Sequence, residues 1–245
     1  MLSIKNKHER DDKIQKINNE YIIEGVNIRL KRVTTIVHKW FSKFEPNKII
    51  EKMINSKNWI NSEYYGKNED EIKLEWNKAS ELGTLLHEDI ERFFNNEDIM
   101  NENSIEFLYF LDFWEEFKKV NPEYFPYRTE WIIYDEDSKI AGTIDCVLSD
   151  KDGNLIILDW KRSKEIRLKN NYQKGYGPFE DMDDCNYNHY TIQLNIYRSI
   201  LERKYNKKII AMFIIVLHPK NSGFLMYEIK RKSMNNMYKF LLKEN

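Results

Sequence analysis

Ile140-Ala-Gly-Thr-Ile-Asp145-Cys-Val-Leu-Ser149, then Asp150 to Asn154, then Leu155-Ile-Ile-Leu-Asp159-Trp-Lys161-Arg-Ser163 is the stretch on which the fold turns. Two apolar, β-branched runs flank a polar segment containing Asp152-Gly153, which predicts a β-hairpin with a short loop. A turn centred near Asp152 places Asp145 directly across the ladder from Asp159. Cβ atoms of such a pair lie ~5 Å apart, and like charges held there repel. Both carboxylates end runs that read as core-facing, where a lone charge is costly. A bound cation resolves the conflict. Asp159 and Lys161, two apart on a strand, point to one face while Trp160 points to the other. The bland alternative is a surface hairpin with solvated charges, since D-x-K triplets are common in a chain that is 32% charged.

The rest of the 245 residues bounds what such a hairpin can belong to. A hydrophobic content of 41%, with 14% aromatic residues, supplies a sizeable core despite a mean hydropathy of −0.71. No apolar run approaches the length of a membrane span. Met1 to Glu20 is charged and has no apolar region typical of a signal peptide. Two cysteines, Cys146 and Cys185, form no disulfide framework and are too few for a zinc or iron–sulfur cluster. A reducing intracellular compartment fits. The net charge of −1 argues against a protein that coats nucleic acid non-specifically, while leaving room for a local basic groove.

In chain order, residues 1–20 read as a flexible, frayed polar segment and 21–122 as a mainly helical part. A short strand is expected over Tyr21–Asn27. Thr34-Thr35 is a plausible cap for a helix from Ile36 to Phe44, and Pro46 opens another to about Asn55. Glu69 to Asn95 predicts a long helix, with a break near Gly83, and Ser104 caps one from Ile105 to Lys119. Residues 123–245 then carry a strand over Tyr124–Tyr134, the hairpin, and a long irregular segment from Arg167 to His189. A helix over Tyr190–Tyr205, strands over Lys208–His218 and Phe224–Lys230, and a last helix over Met234–Lys243 complete the order. The expected class is α/β: a central mixed β-sheet flanked by helices, walled by the helical N-terminal part, all in one domain.

Four short patterns occur in sequence: G-x-x-x-H at Gly83 to His87, G-x-x-D at Gly142 to Asp145, D-x-K at Asp159 to Lys161, and Q-x-x-x-Y at Gln193 to Tyr197. Singly each is weak; His87 alone reads as an ordinary helix-edge histidine, and Gln193 with Tyr197 as a helix's polar edge. Together and in this order they resemble the PD-(D/E)XK nuclease superfamily. Within it they are most similar to the RecB-like branch, which includes the mitochondrial genome-maintenance exonuclease. The resemblance covers roughly Gly83 to Tyr205 and implies a restriction-endonuclease-like core.

That resemblance implies metal ligation by His87, Asp145, Asp159 and the Trp160 carbonyl, with Mg²⁺ or Mn²⁺ as cofactor. It implies that Lys161 orients or deprotonates the attacking water, and that Gln193 and Tyr197 position the DNA strand and support the site. Glu130, in the preceding strand, is expected to reach the same cavity. Phosphodiester hydrolysis leaving a 5′-phosphate and a 3′-hydroxyl is the expected reaction, by an exonuclease acting on DNA ends or single strands in replication, recombination or repair. The sequence departs from the pattern in carrying Ile144 before Asp145 where proline is usual, and in lacking the cysteines of cluster-bearing relatives. Lys164, Arg167 and Lys169, in a basic run leading away from the hairpin, are expected to contact phosphates. Tyr172 and Tyr176 are expected to stack on bases, with Thr34 and Thr35 also on the DNA-binding side. A nucleic-acid-binding module that kept the fold but lost catalysis is the competing expectation.

Overall fold

The computed structural model describes residues 1–25 and 28–244. In chain order it begins with α1 (Leu2–Lys5), β1 (Ile14–Ile17), β2 (Glu20–Ile23), β3 (Ile28–Arg32), α2 (Val33–Lys39) and α3 (Pro46–Ile54). Two long helices follow, α4 (Glu69–Asn95) and α5 (Ile105–Val120), then β4 (Phe125–Asp135), β5 (Ile140–Ser149) and β6 (Asn154–Lys161). The chain closes with α6 (Asn186–Lys204), β7 (Lys208–Val216), β8 (Leu225–Glu228) and α7 (Asn235–Glu244). The architecture of the described residues is mixed α/β, one mixed sheet of eight strands flanked by helices.

The hairpin forms where its sequence places it. Asp150 accepts hydrogen bonds from the Asp152 and Asn154 backbones, and Gly153 takes the left-handed conformation the turn needs. Cys146 pairs with Leu158 and Ser149 with Leu155, so Asp145 and Asp159 stand next in register. Side chains then alternate between two cores. Cys146, Leu148, Ile156, Leu158 and Trp160 face α4 and α5; Val147, Leu155 and Ile157 face α6 and its neighbours. The α6 crossover returns the chain to β7, parallel to β6, and leaves β6 covered on both faces.

β5 is the branching strand. Antiparallel β4 follows it along one edge from Ser149 to Ile140. On the other edge β6 pairs only from Cys146 to Ser149, and β3 pairs in parallel at Ile140 and Ala141. Between them, residues 142–145 have no ladder partner on that edge among the described residues. The sheet forks there.

Several elements differ from the sequence reading. α4 runs unbroken through Gly83, started by a capping box in which Asn68 and Glu71 exchange hydrogen bonds. α2 begins at Val33, so Thr34 and Thr35 lie inside its first turn rather than capping it. Tyr21–Ile23 is strand as expected, but Gly25 turns the chain, and Val26 and Asn27 lie outside the described residues. Residues expected to be frayed form α1 and β1 instead, because their polar groups have distant partners. Asp11 bonds Arg128 at 2.6 Å and the Trp131 indole at 2.9 Å, and Arg10 pairs with Glu136 at 2.6 Å. Asn18 and Asn19 both take positive φ, giving the two-residue turn that suits a tight β1–β2 hairpin.

Candidate metal centre

The fork in the sheet assembles the site. Where the β5–β6 ladder ends, the Asp145 carboxylate accepts the Trp160 backbone N–H at 2.9 Å, replacing the missing rung with a side chain. Trp160 is 1% exposed, its ring packed among Phe94, Phe110 and Phe113. That packing fixes the opposite face of β6, on which Asp159 and Lys161 stand. The Trp160 carbonyl meets His87 Nε2 at 3.1 Å; a carbonyl only accepts, so Nε2 carries the hydrogen. His87 is brought there by α4, whose stripe of Leu86, Ile90 and Phe94 is buried against the sheet.

The tautomer set by Trp160 turns His87 Nδ1 toward two carboxylates. Asp145 Oδ2 lies 3.6 Å away and Glu130 Oε1 3.9 Å away. Thr129 pairs with Cys146 and Trp131 with Ile144, so Glu130 stands opposite Asp145 across the β4–β5 ladder. Its φ of 43° is left-handed, a conformation that costs a non-glycine residue roughly 1–3 kcal/mol and that the ladder on either side enforces. Ligand atoms of His87, Glu130 and Asp145 all lie within 4.8 Å of one another. One imidazole and two carboxylates at this spacing fit a divalent cation. Burial disfavours charge on His87, but the adjacent Asp145 and Glu130 outweigh it and hold its pKa above the ordinary value.

Asp159 and Lys161 form a second, deeper group. Asp159 is 1% exposed, and its Oδ2 lies 2.5 Å from the Lys161 ammonium. Burial pushes the Asp159 carboxyl up to about 6, with the Asp145 charge adding to the rise and Lys161 opposing it. Burial also works against charge on Lys161, yet Asp159 and Asp145 prevail and raise its pKa. Gln193 donates to Asp159 Oδ1 at 3.2 Å and to the Tyr197 hydroxyl at 3.4 Å. Tyr197 packs against Gly142 so closely that a Cβ there would sit 2.5 Å from its ring. The glycine of G-x-x-D is therefore a steric requirement.

The structure thus brings together His87, Glu130 and Asp145, with Asp159, Lys161, Gln193 and Tyr197 behind them. Asp159 stands outside the close trio, held by Lys161 and Gln193, and the Trp160 carbonyl is occupied by His87. The expected DNA-contacting residues lie on other elements. Lys164 is ion-paired with Glu63, which also binds Lys220, and Arg167 has Glu165 at 4.0 Å. Lys169, Tyr172 and Tyr176 are exposed on the irregular segment, which is anchored by Gly177 against Trp40 and by Phe179 against Phe41. Thr34 lines a cleft with Asp145, whereas Thr35 is exposed. Tyr190, 5.0 Å under the Lys161 ammonium, and the hydrogen bond between the Tyr21 and Thr143 hydroxyls are not among the expected site features. Tyr190 could have been found as the residue three before Gln193 on one helical face; the Tyr21 contact had no local signal.

No family model matches this sequence, and no curated protein is similar to it. Solved structures of remote likeness include the following two. A protein named SSO0001 is 15% identical, with a TM-score of 0.35 over 87% of this chain and 73% of that one. A protein from Eubacterium rectale bearing the name "Putative exonuclease" is 10% identical, with a TM-score of 0.39 over 66% of this chain. This chain spans 64% of that protein's length, less than two thirds. Likeness this remote carries no functional weight, so function is argued from the site.

Proposed function

We propose that this protein is a divalent-metal-dependent deoxyribonuclease, an exonuclease acting on DNA ends or single strands in replication, recombination or repair. The observation that carries the reading is the convergence of His87, Glu130 and Asp145 beside a buried Asp159–Lys161 ion pair. Bound by that trio, Mg²⁺ or Mn²⁺ would polarise a phosphoryl oxygen and lower the pKa of a coordinated water.

The chain's own groups do the rest. With Nε2–H on the Trp160 carbonyl, a neutral His87 presents the Nδ1 lone pair to the cation, a ligand orientation set by a backbone partner. We assign Asp159 to Lys161 rather than to the cation, because one of its oxygens faces the ammonium and the other accepts from Gln193. The ammonium, kept protonated by the two aspartates, supplies positive charge as negative charge builds on the phosphoryl oxygens. Gln193 and Tyr197 hold Asp159 and the β5 backbone in place.

The test is cleavage of an end-labelled single-stranded oligodeoxynucleotide, with Mg²⁺, with Mn²⁺ and with chelator. Shortening from an end that needs the metal is the expected result. Asp145→Asn and Glu130→Gln each abolish it, and Lys161→Ala lowers the single-turnover rate on the order of 10²–10³-fold while Mn²⁺ affinity holds. Wild-type protein that binds the oligonucleotide and leaves it intact with either metal would instead be a binding module, and the nuclease reading would fall.

A further inference from the structure

The β1–β2 hairpin stands between two approaches to the trio. A cleft of about 570 Å³ is lined by His87, Glu130, Glu88 and Glu91, and a smaller one of about 170 Å³ by Asp145, Arg32, Thr34 and Thr143. Lys16, on β1, lines both. The trio therefore sits at a seam, with Asp145 opening to one side and His87 and Glu130 to the other.

The two sides differ in sign. Three glutamates face Lys16 in the larger cleft, whereas Lys16 and Arg32 face Asp145 alone among the acidic residues of the smaller one. Neither cation is ion-paired with a carboxylate among the described residues. Lys16 is nonetheless held in place. It pairs across the hairpin with Tyr21, whose ring lies 5.9 Å from the ammonium, and the Tyr21 hydroxyl bonds Thr143 at 2.7 Å. Thr143 is two residues from Asp145 on β5, so the hairpin's cation is registered to the metal centre through that hydrogen bond and through the β2–β3–β5 ladder.

A polyanion crossing a centre with glutamates on one side needs its charge met on the other, and phosphate contacts of this kind set register rather than read sequence. We infer that Lys16 and Arg32 form a binding site for the phosphate next to the scissile one, the β1–β2 hairpin acting as its wall. The inference rests on the nuclease reading for its substrate, a DNA strand, and makes Lys16 a positioning residue. Thr34 and Thr143 offer hydroxyl donors to the same phosphate.

Salt dependence tests the site apart from catalysis. Binding of a single-stranded oligodeoxynucleotide is measured against KCl in EDTA for wild type, Lys16→Gln, Arg32→Gln and, as a control in the β5–β6 turn, Lys151→Gln. Each of the first two variants is expected to flatten the log–log slope by about 0.7, and Lys151→Gln to leave it unchanged. With Mg²⁺, Lys16→Gln should raise KM about tenfold with kcat within about twofold, and Lys16→Arg should restore KM. Unchanged slopes and unchanged KM overturn the site, as does a wild type that binds no oligonucleotide. A flattened slope in a protein that never cleaves sinks the nuclease reading and leaves the phosphate site standing. Cleavage with unaltered slopes does the reverse.

Discussion

His87 is the residue on which metal and proton compete. Its Nδ1 faces Asp145 and Glu130, so with no metal those carboxylates favour the protonated ring. A folded-state pKa above the unfolded value means the folded protein binds more protons as pH falls, and stability rises accordingly. Asp159, pushed up to about 6, acts in the same direction over a lower range. In chelator, the wild type should therefore gain melting temperature relative to His87→Gln as pH drops through the neutral range, whereas His8, His189 and His218, held low by burial, act the other way in both proteins. Carboxylates held low, such as Glu63 at about 2 beneath Lys164 and Lys220, lose their partners' benefit only below that window. Calorimetry should show Mn²⁺ affinity falling over the same pH range, since the ligand must shed its proton. A His87→Gln protein whose melting curve keeps the wild-type pH dependence would show that another group carries it.

At the scale of elements, two glycines that look equivalent as motif positions have opposite jobs. Gly142 lies on β5 under the Tyr197 ring, and a Cβ there would meet Tyr197 Cε1 at 2.5 Å. Gly142→Ala should push Tyr197 and with it Gln193 off Asp159, at a cost of about 1–3 kcal/mol. Gly83 is the converse. Its Cβ would find only Arg162 Cβ at 3.8 Å, ordinary contact, in the interior of α4. Gly83→Ala should stabilise the protein by roughly 0.5–1 kcal/mol, measured in urea, because it removes a helix-weakening residue. Should Gly83→Ala destabilise as strongly as Gly142→Ala, the steric account of both motifs is wrong.

Across the whole molecule, the N-terminal residues join β4 to the end of α4. Asp11 neutralises the buried Arg128 and bonds the Trp131 indole, and α1 reaches α4 and β4 through Leu2 to Asn95 and Asn6 to Tyr127. Removing residues 1–12 would strip Arg128 of both the Asp11 carboxylate and the Asn6 carbonyl. The expected loss is about 3–5 kcal/mol, a fall in melting temperature of roughly 6–20 °C for a chain of this size. Asp11→Asn, which keeps the indole bond but not the charge, should account for a large share. A truncated protein melting with the wild type would return these residues to the frayed segment their composition suggests.

The elements were legible in the sequence wherever the signal was local. The period-2 runs about Asp150 to Asn154, the bounds of the helix over Glu69–Asn95, the helix capped by Ser104, and the shared face of Asp159 and Lys161 all appear where local pattern and capping chemistry place them. The register that sets Asp145 opposite Asp159 followed from the turn alone, since a hairpin loop determines every pair beyond it. The frayed look of residues 1–20 misled because partners such as Asp11 and Arg128 lie 117 residues apart, a separation no window of sequence spans. The same holds for the centre. Glu130, rather than Asp159, completes the close trio with His87 and Asp145, and its left-handed backbone exists only because β4 is pinned to β5 on both sides of it. Sequence determined which strands and helices carry the acidic, basic and imidazole groups, because local pattern and turn geometry suffice for that. Which of those groups share one point was decided by the fork between β5 and β6, a product of long-range packing around Trp160.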